Sequence, residues 1–283
     1  MRSQLGGGYY PCVLDQAIEF RNEGDALFGL LDNLGESDWS RETQFKHWTP
    51  NDIIAHLHMG DYAADQSLQG SDEFRAFGRQ LAKLSQDAKG YLGATHAWLG
   101  GIKNRDLLLQ WRAFYREMAD RFALADPRKR VKWFGPDMSV LSSISARLME
   151  TWAHGQALYD LLGETRVNTD RIKNIAIIGI NTYRWTFSNR GIEPPGVRPN
   201  VRLTGPSGAI WEWLQADSGD LIEGPAEDFC QVVTQTRNVA DTSLRISGQT
   251  AVAWMAIAQC FAGPPQIPPP PGARFRQTGS RPS

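Results

Sequence analysis

Apolar residues recur every three to four positions over several long stretches of the chain, which is the spacing of one face of an α-helix. The clearest stretches predict helices at 13–34, 50–68, 105–124, 139–162 and 169–189. Thr49 and Pro50 are typical residues for the cap and first turn of a helix, and Asp52 nearly completes a capping box. Gly163 is a typical residue just beyond a helix end. The first two thirds of the chain is therefore predicted to be helical.

The pattern changes after about residue 190, where glycine and proline become dense. Apolar residues alternate over 209–214, which is typical of a strand, and short β-type segments lie at 200–203 and 244–247. Helices are predicted at about 225–234 and 250–261. The proline-rich, basic end is predicted to be disordered or polyproline-like. The sequence thus predicts a helical domain over 1–190, a small α+β domain over 191–262 and a disordered tail over 263–283.

The composition excludes several classes of function. The formal net charge is −1, from 30 basic and 31 acidic residues, so a broad electrostatic grip on nucleic acid or on an anionic membrane is not expected. No apolar stretch reaches the roughly 18 residues of a membrane span, and none near the start has the length of a signal-peptide core. A cytoplasmic protein is expected. The three cysteines form no CxxC pair, which disfavours a disulfide scaffold and a cysteine zinc site.

The predicted helix 139–162 carries a candidate metal-binding pattern. Arg147, Glu150 and His154 are three and four residues apart and so share one face. A Glu and a His at this spacing can bind one divalent ion, although the same spacing is common in surface pairs. His56, among apolar residues of the capped helix, is either a buried, hydrogen-bonded histidine or a third ligand facing the other two across a bundle. Two histidines and a glutamate with an open fourth position are typical of a catalytic zinc site.

Two segments make the pattern more specific. Trp-Thr-Pro-Asn-Asp-Ile-Ile-Ala-His-Leu at 48–57 resembles the second-helix signature of the DinB/YfiT superfamily, and Arg-Leu-Met-Glu-Thr-Trp-Ala-His-Gly-Gln at 147–156 resembles its metal-binding last-helix signature. The most similar branch contains the mycothiol-dependent maleylpyruvate isomerases and a related, uncharacterised metal-binding family. Further segments that resemble the latter lie at 133–136, 224–230 and 261–265. The resemblance covers about residues 13–265.

This resemblance implies a mainly α fold, a DinB-like four-helix bundle that holds one divalent metal, with a smaller C-terminal α+β domain. Carried over residue by residue, His56, Glu150 and His154 are the metal ligands, and their nitrogen-rich set favours zinc, with nickel as an alternative. In the thiol-using relatives the metal holds mycothiol and lowers the pKa of its thiol, and the metal-bound thiolate attacks an electrophilic carbon of the substrate. Mycothiol is accordingly expected as the cosubstrate.

Other residues have two interpretations each. Arg147 is a candidate catalytic anion clamp or a salt-bridge partner within the bundle, and Asp61 is a candidate catalytic acid in the cavity or a solvated side chain. Arg237 lies where thiol-using relatives place an arginine on the cofactor, although the alignment there is loose. Relatives usually carry an acid where this chain has Ala157, so another group orients the last ligand histidine or the histidine is held more loosely.

Three classes of function remain open at this stage. The first is a metal-dependent S-transferase or isomerase that uses a low-molecular-weight thiol, which the ligand set and the resemblance favour. The second is a thiol-independent metallo-hydrolase or lyase in which the metal activates water. The third is a non-catalytic module that binds a small molecule in an apolar pocket. The expected partners are a small-molecule substrate and the thiol, in a monomer or a homodimer.

Overall fold

The N-terminal two thirds of the chain folds almost entirely into helices, as the apolar spacing predicts. The structure is a computed structural model that describes residues 13–88 and 90–277. The helices of this region are α1 (Asp15–Leu31), α2 (Pro50–Gln69), α3 (Ser71–Asp87), α4 (Gly90–Leu99), α5 (Asn104–Ala123), α6 (Val140–Leu162), α7 (Lys173–Asn181) and α8 (Tyr183–Ser188). Helix α4 was not predicted, because its segment is rich in glycine and has no clear apolar period.

Helices α1, α5, α2 and α6 pack around one another, so that α1 and α2 each contact both α5 and α6. Their apolar stripes supply large side chains that are fully buried, among them Leu27, Trp111, Tyr115 and Trp152. Burial of each such side chain contributes about 1.5–3 kcal/mol, so this contact region stabilises the helices far more than their intrinsic propensity does. Among the described residues, no helix combines the length and the apolar character needed to span a lipid bilayer.

The predicted cap residues fix the start of α2 and the end of α6, the two helices that carry the candidate metal ligands. At the start of α2, the Asp52 amide donates to Thr49 Oγ1 at 3.2 Å and the Thr49 amide donates to Asp52 Oδ2 at 2.9 Å, so the capping box is complete. Ser139 caps α6 by accepting from the Ser142 amide. Gly163 ends α6 in the left-handed conformation, with φ of 70°, as its residue type predicts.

Between α5 and α6 the chain forms a short hairpin of β1 (Arg130–Val131) and β2 (Met138–Ser139). The elements of the C-terminal third are β3 (Asn200–Thr204), β4 (Ile210–Trp213), β5 (Leu221–Pro225), α9 (Ala226–Val233), β6 (Arg245–Ser247) and α10 (Gln249–Met255). Its four strands form a small mixed sheet with the order β4-β3-β5-β6. Strands β3 and β5 are parallel, and the other neighbours are antiparallel. Strand β5 has too few apolar residues to be recognised by alternation. The predicted last helix is shorter than expected: α10 ends at Met255, and the Cys260 amide bonds to the Val233 carbonyl.

The mainly helical fold with a small α+β region is confirmed. The change from helices to strands lies between Ser188 and Asn200, near the predicted boundary at residue 190. Buried apolar side chains of both regions belong to one continuous core. The division into separate domains therefore stays a prediction.

The tail over 263–283, predicted to be disordered or polyproline-like, has contacts with the rest of the protein in its described part. Through residue 277 it follows a defined path along the surface, while residues 278–283 lie outside the described part of the chain. The Asn238 amide group donates to the Pro269 carbonyl at 2.8 Å, and the Gly272 amide donates to the Asp241 carboxylate at 2.9 Å. Because prolines lack amide donors, this segment forms no helix or sheet of its own, and the body of the protein holds it through side chains.

The contact between α7 and α9 yields a test of this architecture. A Cβ at Gly179 would lie 2.9 Å from Val233 and 3.0 Å from Phe229, so we expect Gly179→Ala to lower the free energy of unfolding by about 1–3 kcal/mol through overpacking. The matched control is Gly29→Ala on the exposed face of α1, where nothing lies within 4 Å and a gain of about 0.5–1 kcal/mol is expected. Urea titration measures both changes, and equal effects would contradict the close helix contact.

Candidate metal centre

Three side chains from α2 and α6 converge on one point. His56 comes from α2, and Glu150 and His154 lie one turn apart on α6. The Nε2 atoms of His56 and His154 lie 3.3 and 3.2 Å from the same oxygen, Oε2 of Glu150. One nitrogen or oxygen atom of each residue lies within 4.8 Å of those of the other two. The structure thus brings together all three residues that the resemblance implies as metal ligands.

These distances fit a divalent metal ion. Two ligand atoms about 2.1 Å from a tetrahedral ion lie roughly 3.4 Å apart, close to the two separations from Glu150 Oε2. The donor set of two imidazole nitrogens and one carboxylate oxygen is typical of zinc sites that keep a position for water or substrate. The geometry by itself leaves the identity of the metal open.

The protonation states also suit metal binding. Burial alone raises the pKa of the Glu150 carboxyl, but hydrogen bonds from His154 and His56 outweigh burial and hold that pKa well below its usual range. Burial, together with repulsion from His154, lowers the pKa of His56 to about 4. At neutral pH the site therefore offers an ionised carboxylate and a neutral imidazole on His56, the forms in which these groups bind metals.

Aromatic side chains hold the two histidines in place. Tyr91 of α4 forms a hydrogen bond of 2.6 Å with Nδ1 of His56, the ring atom that faces away from Glu150. The ring of His154 stacks on Trp48 at 5.8 Å and meets the edge of Phe45 at 4.9 Å. Within residues 13–88 and 90–277 no hydrogen bond reaches Nδ1 of His154. Aromatic packing thus orients His154, and Ala157, one turn further along α6, offers it no carboxylate.

Sequence reasoning missed Tyr91 and Phe45. Tyr91 is on α4, a helix without a periodic signal, and it lies 35 residues after His56. Phe45 is in the loop before α2, where no motif marks it. Both residues reach the site only through tertiary packing, so no spacing in the sequence could have found them.

The metal-ligand candidates lie in the wall of a cavity of about 480 Å³. One side of the cavity comes from the loop before α2 and from α6, and the other side comes from residues after α9 and from the tail. The residues that line it include Gln44, Phe45, Lys46, Trp48, His56, Tyr91, Glu150, His154, Asp160, Gln235, Arg237, Phe261, Gln266 and Arg274. A small molecule of metabolite size fits such a volume.

Asp61 and Arg147, the two candidate catalytic residues, are paired with each other and do not line this cavity. Asp61 Oδ1 accepts from Arg147 Nε at 2.8 Å, Asp61 Oδ2 accepts from Trp111 Nε1 at 2.8 Å, and both charged side chains are buried. Gly60 makes room for the guanidinium, because a Cβ there would lie 2.7 Å from it. Burial opposes the charge of Arg147, but Asp61 and Glu150 outweigh burial and raise its pKa. Both side chains are shielded from the cavity, and their ion pair joins α2 to α6. A catalytic role for either residue stays a prediction.

Arg237 does line the cavity, as its predicted role in cofactor binding requires. Its guanidinium donates two hydrogen bonds to Asp160, at 2.6 and 2.8 Å. Cys230 and Cys260 are buried, and burial raises the pKa of both thiols. The third cysteine, Cys12, lies outside the described residues.

The helix arrangement and the site together define a DinB-like protein with a candidate metal centre. Comparisons with known proteins identify its relatives. Residues 20–159 match the family model of the mycothiol maleylpyruvate isomerase N-terminal domain. Two uncharacterized proteins of Mycobacterium tuberculosis, from strains CDC 1551 and H37Rv, are each 34% identical over 247 residues, 87% of this chain and 95% of the relative. Residues 20–159 belong to the mycothiol maleylpyruvate isomerase N-terminal domain family, and the chain as a whole is a relative of these two mycobacterial proteins.

A solved structure supports the fold. The crystal structure of the mycothiol-dependent maleylpyruvate isomerase aligns with a TM-score of 0.51 at 12% sequence identity, covering 82% of this chain and 92% of that chain. At this identity the likeness concerns the path of the backbone. It extends beyond the helices into the C-terminal region.

The hydrogen bond between Tyr91 and His56 predicts an effect on metal affinity. Tyr91→Phe removes the group that orients the imidazole, so we expect zinc affinity to fall by about 10-fold or more. Tyr183→Phe is the matched control, because it removes a hydroxyl that bonds to Gly196 far from the site. Competition with a chromophoric chelator measures both affinities. Equal affinity in the wild type and the Tyr91 variant would show that packing alone positions His56.

The buried ion pair between Asp61 and Arg147 predicts that removing one partner lowers the stability of the fold. Asp61→Asn leaves the Arg147 charge buried without its partner, and we expect the free energy of unfolding to fall by about 3–5 kcal/mol. Asp120→Asn is the control, since its ion pair with Arg21 is exposed and contributes little. Denaturant titration is the measurement. Unchanged stability with lost activity would instead support a catalytic role for Asp61.

Proposed function

We propose that this chain is a metal-dependent enzyme that uses a low-molecular-weight thiol, mycothiol, for S-transfer to or isomerisation of a small electrophilic substrate. The observation that carries the proposal is the convergence of His56, Glu150 and His154 in the wall of a metabolite-sized cavity. Three protein ligands leave at least one coordination position for a molecule in that cavity. A closed structural site would use a fourth protein ligand instead.

Zinc is the proposed metal, with nickel as the alternative that the same donor set accepts. A divalent ion held by these residues supplies a positive charge that lowers the pKa of a thiol and so raises its nucleophilic fraction at neutral pH. The side chains around the site balance its charge and orient its ligands. Glu150 offsets part of the added charge, and Tyr91, Trp48 and Phe45 hold the two imidazoles in position.

The thiol is proposed to come from outside the chain. Cys230 and Cys260 are buried with raised thiol pKa values, so neither provides a thiolate at neutral pH. Mycothiol is the proposed thiol because it is the cosubstrate of the isomerases in this branch. Arg237, fixed by Asp160 at the cavity wall, is proposed to contact it.

The test combines metal analysis with thiol binding. We expect the purified protein to carry about one equivalent of metal, and His154→Ala to lose it together with activity. His96→Ala is the matched control, since His96 bonds to Asp52 at the start of α2 and, among the described residues, belongs to no cluster that could hold a metal. Calorimetry is expected to detect mycothiol binding to the metal-loaded wild type and not to the His154 variant.

Two outcomes would contradict the proposal. Full turnover by metal-free protein would exclude a role for the metal. Failure of the metal-loaded protein to bind mycothiol would exclude the thiol mechanism and favour a hydrolase or lyase that uses metal-activated water.

A further inference from the structure

The C-terminal tail carries an arginine into the cavity. Arg274 lines the cavity together with Phe45, and its guanidinium carbon lies 5.0 Å from the centre of the Phe45 ring. Phe45 in turn contacts His154, so the arginine lies one aromatic ring away from a candidate metal ligand. A residue 120 positions after His154 thereby becomes part of the same pocket.

Backbone hydrogen bonds on both sides of Arg274 hold it there. The Gly272 amide donates to the Asp241 carboxylate at 2.9 Å, the Phe275 amide donates to Gln44 Oε1 at 2.7 Å, and the Gln277 amide donates to the Asp160 carbonyl at 2.8 Å. These three anchors lie on separate parts of the body. Arg274 is thus presented by a docked segment and not by a free end.

The charges in the cavity wall are not balanced. Its two carboxylates are Glu150, which belongs to the candidate metal site, and Asp160, which pairs with Arg237. Arg274 and Lys46 also line the cavity, and among the described residues no carboxylate lies within ion-pair distance of either. Two cations thus face the cavity without an anionic partner.

Arg274 also keeps most of its hydrogen-bonding capacity. A guanidinium has five N–H donors, and one of them bonds to the Gln235 carbonyl at 2.6 Å. Half-burial and the nearby charge of Arg237 lower the pKa of Arg274, and the opposing effect of Asp160 does not offset them. An anion in the cavity would therefore relieve an unfavourable charge. The remaining N–H groups can donate two parallel hydrogen bonds to a planar or tetrahedral oxyanion.

We propose that Arg274 binds an oxyanion of the substrate, a carboxylate or a phosphate, and that the docked tail thereby selects anionic electrophiles for the metal centre. Lys46, 5.3 Å from the centre of the same Phe45 ring, adds a second positive charge at this end of the cavity. The inference rests on the proposed function, because it names the class of substrate that the same pocket accepts.

The experiment measures anion binding without any thiol. Metal-loaded full-length protein is titrated calorimetrically with maleate, with inorganic phosphate and with the uncharged diamide of maleic acid. We expect Arg274→Gln to weaken binding of the preferred anion by about tenfold or more, and Arg274→Lys to weaken it less. Arg276→Gln is the control, since this neighbouring arginine of the tail bonds to Thr165 and does not line the cavity.

Each result has a defined meaning. A loss for maleate identifies a carboxylate site, and a loss for phosphate alone identifies a phosphate site. The affinity for the uncharged diamide is expected to be the same in the wild type, in Arg274→Gln and in Arg274→Lys. Equal anion affinity in the wild type and in Arg274→Gln would overturn the inference. This result is expected if the anions bind only at the metal. Because mycothiol is absent, failure of the thiol titration does not affect this result.

Discussion

The buried ion pair between Asp61 and Arg147 is the contact on which the site depends. It joins α2 to α6 five residues after His56 and three residues before Glu150, so it sets the separation of the two helices next to the metal-ligand candidates. A buried pair of this kind tolerates little displacement, because each charge needs its partner and its hydrogen bonds. Gly60 and the Trp111 indole complete the joint. The position of His56 relative to α6 follows from this arrangement.

The site combines one ionised group with an aromatic enclosure. Glu150 is buried yet ionised, because both histidines bond to its carboxylate. Phe45, Trp48 and Tyr91 surround the imidazoles and restrict their rotation with few additional charges. Ala157 offers no carboxylate to His154, and the rings of Phe45 and Trp48 contact its imidazole instead.

The cavity is lined by two parts of the chain, one inside and one outside the segment that matches the family model. The metal-ligand candidates lie within residues 20–159, which match the N-terminal domain family. Much of the opposite wall, including Gln235, Arg237 and Arg274, lies outside that segment. The C-terminal region and its tail thus line the cavity opposite the metal-ligand candidates with residues that the family model does not cover.

Local signals in the sequence determined most of the helices, the caps of α2 and α6 and the three metal-ligand candidates, because helical spacing and capping chemistry act over a few residues. Glu150 and His154 are neighbours on any helix, and the signature around His56 added the third ligand by resemblance. The tertiary structure alone decided that Asp61 bonds to Arg147, that Tyr91 reaches His56, and that the tail brings Arg274 to the cavity. These contacts join residues separated by 35 to 231 positions, counting the tail's bond to Gln44. No local period encodes such separations, since they arise only when the packed helices and the docked tail bring distant segments together.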